Sequence, residues 1–190
     1  MLKVILIALI IGGATQIAPA GNNSELGLAA KYPGDKDIEK NPSVIFATSF
    51  EGSDNLAGFT KLRAPKSIST SSESKFVHSG TSSAQITATR GKDVGGALIY
   101  RWEKGVDQLY FRFYCRFHEE TCKPHHFANI GANCPGRETE GHAGQRPKGH
   151  EGFSTTVEPP NDQRDWCLYS YWHEMHSWQN EDGTPNNPPE

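Results

Sequence analysis

Residues Trp166 to Trp178 read W-C-L-Y-S-Y-W-H-E-M-H-S-W. The stretch alternates as a β-strand does, and successive strand side chains point to opposite faces. Cys167, Tyr169, Tyr171 and His173 therefore share one face, and Trp166, Leu168, Ser170, Trp172 and Glu174 share the other. A face with two tyrosines and a histidine is too polar for an ordinary core and too aromatic for ordinary solvent exposure. It suits a sugar, whose C–H faces stack on rings while its hydroxyls take hydrogen bonds. The stretch predicts a β-protein that faces carbohydrate, and leaves open whether the sugar is held or also cut.

Outward from that strand, the chain reads as a series of similar short segments. Strands are predicted at Val44–Phe50, Lys75–His78, Ser83–Thr89, Ala97–Trp102, Gln108–His118, His126–Ile130, Phe153–Glu158 and Trp166–His173. No long segment of helical period interrupts them. Many short strands joined by Gly-, Pro- and Asn-containing turns predict an all-β jelly-roll sandwich over residues 43–178. Residues 131–150 form a long glycine-rich loop, and loops of that length tend to be functional or disordered. The polar, Pro-rich tail 179–190 holds no strand. A jelly roll closes by pairing late strands with early ones, so this ending predicts a fragment lacking its last strands.

The first 20 residues carry a targeting pattern. Lys3 supplies a positive start, Val4 to Ile11 is an unbroken apolar run, and Ala18-Pro19-Ala20 has the small-x-small form of a signal-peptidase site. The run is shorter than the roughly 20 residues that span a bilayer. Cleavage after Ala20 would leave a secreted or periplasmic protein with no membrane attachment; a retained anchor is the rival reading. Residues 21–42 look like an arm or linker, and Asn22-Asn23-Ser24 matches a glycosylation sequon. Without Lys3, 18 basic residues face 22 acidic ones, a net charge of about −4, which argues against a nucleic-acid partner. Four cysteines in an exported chain read as disulfides, with Cys122 and Cys134 the plausible local bridge. Cys115 and Cys167 can pair or remain buried thiols.

Gln108 to His118, Q-L-Y-F-R-F-Y-C-R-F-H, alternates most cleanly. Leu109, Phe111, Phe113, Cys115 and Phe117 form an apolar face that must be core. Tyr110, Arg112, Tyr114, Arg116 and His118 form a ladder of rings and guanidinium groups, able to stack a sugar and grip a carboxylate or sulfate. An outer face packing over its neighbours gives the same pattern. Elimination on a uronate polymer needs a cation to neutralise the carboxylate, a base for the C5 proton and an acid for the leaving oxygen. Arg112 or Arg116 can supply the first, His126 or His173 the second, and Tyr169 or Tyr171 the third, with no cofactor required. His125-His126 and His173-Glu174-x-His176 raise the question of a transition metal, but no H-E-x-x-H motif occurs, His173 and His176 meet only on a helix, and hydrogen bonding within the groove or to the long loop accounts for these histidines equally. Hydrolysis would need two flanking carboxyl groups; the E-x-D-x-x-E pattern of jelly-roll glucanases is missing, and Glu158 and Glu174 are the only carboxylates in strong strand segments.

Two parts of the chain resemble known families. Ser49-Phe50-Glu51-Gly52 followed by Val77-His78-Ser79-Gly80-Thr81-Ser82-Ser83-Ala84 resembles the opening of β-sandwich carbohydrate-binding modules. That resemblance implies a structural calcium ion held by Glu51. From Gly95 onward, L-Y-F-R-F-Y, H-H-F-A-N-I-G, the G-x-R-P-x-G turn at Gly144–Gly149, F-S-T-T-V-E-P and L-Y-S-Y-W-H-E-M resemble exported bacterial concanavalin A-like jelly-roll proteins. Some of those are polysaccharide lyases, which implies catalytic roles for His173, Tyr171, Tyr169 and His126 and substrate contacts from Tyr110, Arg112, Tyr114 and Arg116. The alginate-lyase signatures R-x-E-L-R, Q-[IV]-H and Y-x-K-x-G do not occur. The expectation is an exported protein that binds an anionic polysaccharide and either cleaves it by β-elimination or only holds it. A surface protein whose aromatic face meets another protein is the third reading.

Overall fold

The computed structural model describes residues 9–12, 27–52, 55–121, 125–133, 146–147, 152–160, 165–175 and 184. The chain divides into two compact units, Met1–Thr121 and Cys122–Glu190. That boundary falls inside the stretch read from sequence as one domain. Cys122, Cys134, the sequon, most of the glycine-rich loop and most of the tail lie outside the described residues.

The first unit holds β1 (Leu9–Gly12), β2 (Val44–Ala47), β3 (Lys61–Arg63), β4 (Ile68–Ser71), β5 (Ser83–Ile86), β6 (Ala97–Ile99) and β7 (Leu109–Arg112). They pair antiparallel as β2-β1-β7, β3-β6 and β4-β5. β1 is part of the apolar run read as a leader, and it is the middle strand of its sheet. The second unit holds β8 (Ala128–Asn133), β9 (Gly152–Glu158) and β10 (Cys167–Tyr171), paired antiparallel in the order β10-β9-β8. The described helical segments are four residues long at most, the α-helical turn Leu28–Lys31 being the longest. The fold class is all-β.

The core of the first unit follows from the alternation seen in sequence. Phe46 is buried, with Ile45, Phe59, Tyr100, Trp102, Leu109 and Phe111 packed around it. Its ring stacks on Tyr100 at 4.1 Å and meets Phe59 edge-on at 5.2 Å, arrangements that add to plain area burial. Leu109 and Phe111 point inward as predicted, and Tyr110 between them is 59% exposed. The strand itself is shorter than expected and ends at Arg112.

Three other segments differ from the sequence reading. Lys75–His78 is not a strand: Ser74–Phe76 is a 3₁₀ turn, with Phe76 N–H donating to Glu73 O at 2.8 Å. The turn buries Phe76, and the polar Ser72-Glu73-Ser74 that follows β4 favours local bonding over a ladder, with the Glu73 N–H donating to Ser71 Oγ at 3.4 Å. β3 and β4 were missed because K-L-R and I-S-T-S are too short and polar to show alternation. Their partners β6 and β5 supply the hydrogen bonds that make them strands.

Candidate functional site

The register of β8-β9-β10 decides which side chains meet. Glu158 lies opposite Cys167, Thr156 opposite Tyr169 and Ser154 opposite Tyr171 on the neighbouring strand, while Asn129 lies opposite Thr156 on the other side. Directly opposed residues share a face, so Asn129, Ser154, Thr156, Glu158, Cys167, Tyr169 and Tyr171 line one side of the sheet. The side is polar yet partly covered, with Thr156 and Glu158 buried. Asn129 Nδ2 donates to Thr156 Oγ1 at 2.7 Å. Leu168 on the opposite face is 67% exposed, the reverse of a simple apolar-in strand.

Glu158 is fully buried, and a buried carboxylate must find donors or a cation. It finds His126. The His126 backbone N–H donates to Glu158 Oε1 at 2.9 Å, and the ring Nδ1 meets the same oxygen at 2.9 Å. With Nδ1 carrying the proton toward the carboxylate, Nε2 keeps a lone pair, the tautomer a general base needs. His126 has the left-handed φ of 56°, and its ring lies 3.8 Å from that of His125 and 5.4 Å from that of Tyr169. The Tyr169 and Tyr171 hydroxyls share a 2.6 Å hydrogen bond, their rings edge to face at 5.1 Å. Partial burial, helped by that bond and by the nearby Tyr171 and Glu158, pushes the Tyr169 phenol up to about 12. Tyr169 therefore stays protonated at neutral pH and can serve as a proton donor.

Of the residues assigned to catalysis from sequence, His126, Tyr169 and Tyr171 come together here. His173 does not follow the strand parity assumed for it, because β10 ends at Tyr171 and His173 sits in the turn beyond. Its side chain is 60% exposed, with Nε2 3.7 Å from Glu174 Oε1. Glu158 was not assigned a role, and His125 entered only with His126 as a pair that raises the question of a metal. Glu158 stood out as a carboxylate in a strong strand, but its link to His126 depends on register that alternation alone does not give.

The four residues read as substrate contacts lie in the first unit and separate. Tyr114 and Arg116 line a cleft of about 330 Å³ with Lys75, Val77, His78 and Cys115. His78 stacks on Tyr114 at 3.8 Å, and Arg116 Nη1 donates to Lys75 O at 2.6 Å. Tyr110 is turned outward, its hydroxyl 2.6 Å from Gln108 Nε2. Arg112 instead forms an ion pair with Asp35, whose side chain is only 10% exposed. Arg112→Ala should therefore act first on stability, costing about 1.5–3 kcal/mol by stranding a shielded carboxylate. Urea unfolding of the variant reads this; an unchanged midpoint with weaker glycan binding would restore the sugar-gripping role.

Glu51 holds two loops together. Its Oε1 accepts the N–H groups of Thr81 and Ser82, each at 2.9 Å, and its Oε2 accepts the Thr81 hydroxyl. Gly80, at φ 73°, leaves the room this needs, since a Cβ there would run into the Glu51 carboxylate. The Thr81 hydroxyl, then the Thr81 and Ser82 N–H groups, hold the Glu51 carboxyl below its ordinary value of 4.5. The resulting stability is present above that value and is lost as pH falls through the lower folded one. Glu51→Gln should cost about 1 kcal/mol at neutral pH, given its exposure. The difference from the parent chain in urea titrations should close in strong acid; one that persists there would rule out the charge as its source. Cys115 and Cys167 are free thiols, and burial pushes the Cys115 thiol up.

Comparisons with family models, curated proteins and solved structures found no match. No helix among the described residues is long and apolar enough to cross a membrane.

Proposed function

We propose that this chain is an exported, secreted or periplasmic, polysaccharide-active protein of jelly-roll type that binds an anionic glycan and cleaves it by β-elimination. The observation that carries this reading is the linked set Glu158–His126–Tyr169–Tyr171, a buried carboxylate orienting an imidazole beside a phenol that stays protonated. In the reaction His126 Nε2 takes the C5 proton of a uronate. The C5–H electron pair becomes the C4=C5 double bond, and the C4–O4 bond breaks with its electrons on O4. Tyr169 donates its proton to that oxygen and is reprotonated through Tyr171. Antiparallel pairing of the described strands and the scarcity of helix among the described residues support the jelly-roll architecture. Arg116, Lys75 and the stacked His78–Tyr114 pair suit an anionic sugar ring in the first-unit cleft.

A binding module without catalysis is the second reading. It is favoured by one observation: the arginine-bearing cleft belongs to the first unit, whereas the proton-handling set belongs to the second. Exposing the chain to alginate, glucuronan, pectate and sulfated algal glycans while following ultraviolet absorbance separates the two. Rising absorbance from the conjugated product, lost in His126→Gln, supports elimination. A flat trace from a folded sample that is still retarded in a polysaccharide affinity gel would establish the binding module instead.

A further inference from the structure

We propose that His125, His126 and Glu158 form a binding site for one divalent transition-metal ion, with zinc the best fit. One ligand atom from each residue falls within 4.8 Å of the others. His126 Nδ1 lies 2.9 Å from Glu158 Oε1, and His125 Nε2 lies 3.9 Å from Glu158 Oε2. Metal–ligand bonds of about 2.0–2.2 Å in a tetrahedron place neighbouring ligand atoms about 3.3 Å apart. The two observed separations bracket that value, and the widest separation within the set, up to 4.8 Å, would close by rotation of the exposed rings.

Adjacent residues in extended chain point their side chains apart. Here the left-handed backbone at His126 turns both rings to one side, their centroids 3.8 Å apart. A histidine adopts that conformation at a cost, and such strain collects at functional sites. The donor set is two imidazoles and one carboxylate, which suits zinc over calcium or magnesium, whose ligands are oxygens. Glu158 is fully buried and held by the His126 N–H, a fixed anchor for the ion. The imidazoles are open, with side chains 65% and 53% exposed, so a hydrated ion can enter. Three protein ligands leave a fourth position for water or a ligand atom.

Metal on His126 Nδ1 takes the place of the proton there, and the neutral ring then carries its one proton on Nε2, which has no lone pair left to accept the C5 proton. The metal-bound state and the proton-handling state therefore exclude each other, and zinc is an inhibitor of the proposed elimination. Binding itself stands apart from that reading; only the inhibition rests on it.

The test is calorimetric titration of the full chain, free of any histidine tag, with zinc chloride. One ion per chain is expected, with affinity lowered at least tenfold in His125→Ala and unchanged in His118→Ala. Cobalt should give the visible absorption of a four-coordinate site in the parent chain and not in His125→Ala. Absence of binding by folded protein, or binding that His125→Ala leaves intact, overturns the site. The readout needs no turnover, so a chain without lyase activity tests it equally well. Zinc that binds as expected but leaves elimination unslowed overturns the exclusion.

Discussion

Tyr169→Phe should lower the rate of uronate-polymer elimination by about 10²–10⁴-fold, the usual contribution of one positioned acid or base. Only a hydroxyl is lost, so the sheet and the His126–Tyr169 ring contact at 5.4 Å remain. The effect should fall on kcat, with retardation in affinity gels unchanged. The same variant reports on the phenol itself. An ordinary tyrosine ionises near pH 10, whereas Tyr169 is held up to about 12. An alkaline absorbance titration of the parent chain should show a late step that Tyr169→Phe removes. Full turnover in the variant would exclude Tyr169 as the acid.

Phe46→Ala should destabilise the first unit by about 3–5 kcal/mol, the range for emptying a buried aromatic site. Phe46 is the buried centre around which the chain gathers Phe59, Tyr100, Trp102, Leu109 and Phe111, so neighbours on several strands lose contacts at once. The urea midpoint of the unit should drop accordingly, and a domain at the low end of ordinary stability, about 5 kcal/mol, would be left marginal at ambient temperature. A shift below 1 kcal/mol would mean that Tyr100 and Phe59 collapse into the space.

What the sequence disclosed, and what it withheld, can be traced residue by residue. Alternation in L-Y-F-R placed Leu109 and Phe111 inward and Tyr110 outward, because a two-residue period is a property of one strand alone. It also placed Tyr169 and Tyr171 side by side, as their hydroxyl contact bears out. Parity failed where the strand stopped: His173 lies past the end of β10, and a turn erases the period. Arg112 kept its predicted strand, but its partner Asp35 is 77 residues away in sequence, in a segment read as linker. Glu158 and His126, 32 residues apart, meet through register, and register is set by pairing, which no single strand's pattern encodes. The left-handed turn at His126 had only a weak signal, since histidine is enriched at positive φ but most histidines still lie elsewhere.

The place of β1 carries a consequence for how this protein is made. The strand lies between β2 and β7, pairing with both. Should export remove it, two rows of backbone donors and acceptors are bared on the mature chain at once, and bared rows of that kind recruit whatever strand comes near. In that case maturation would be an act of rearrangement as well as trimming. The precursor and the processed chain would be two molecules with different sheets, and the interval before β2 and β7 found new partners would be when the protein is most open to self-association.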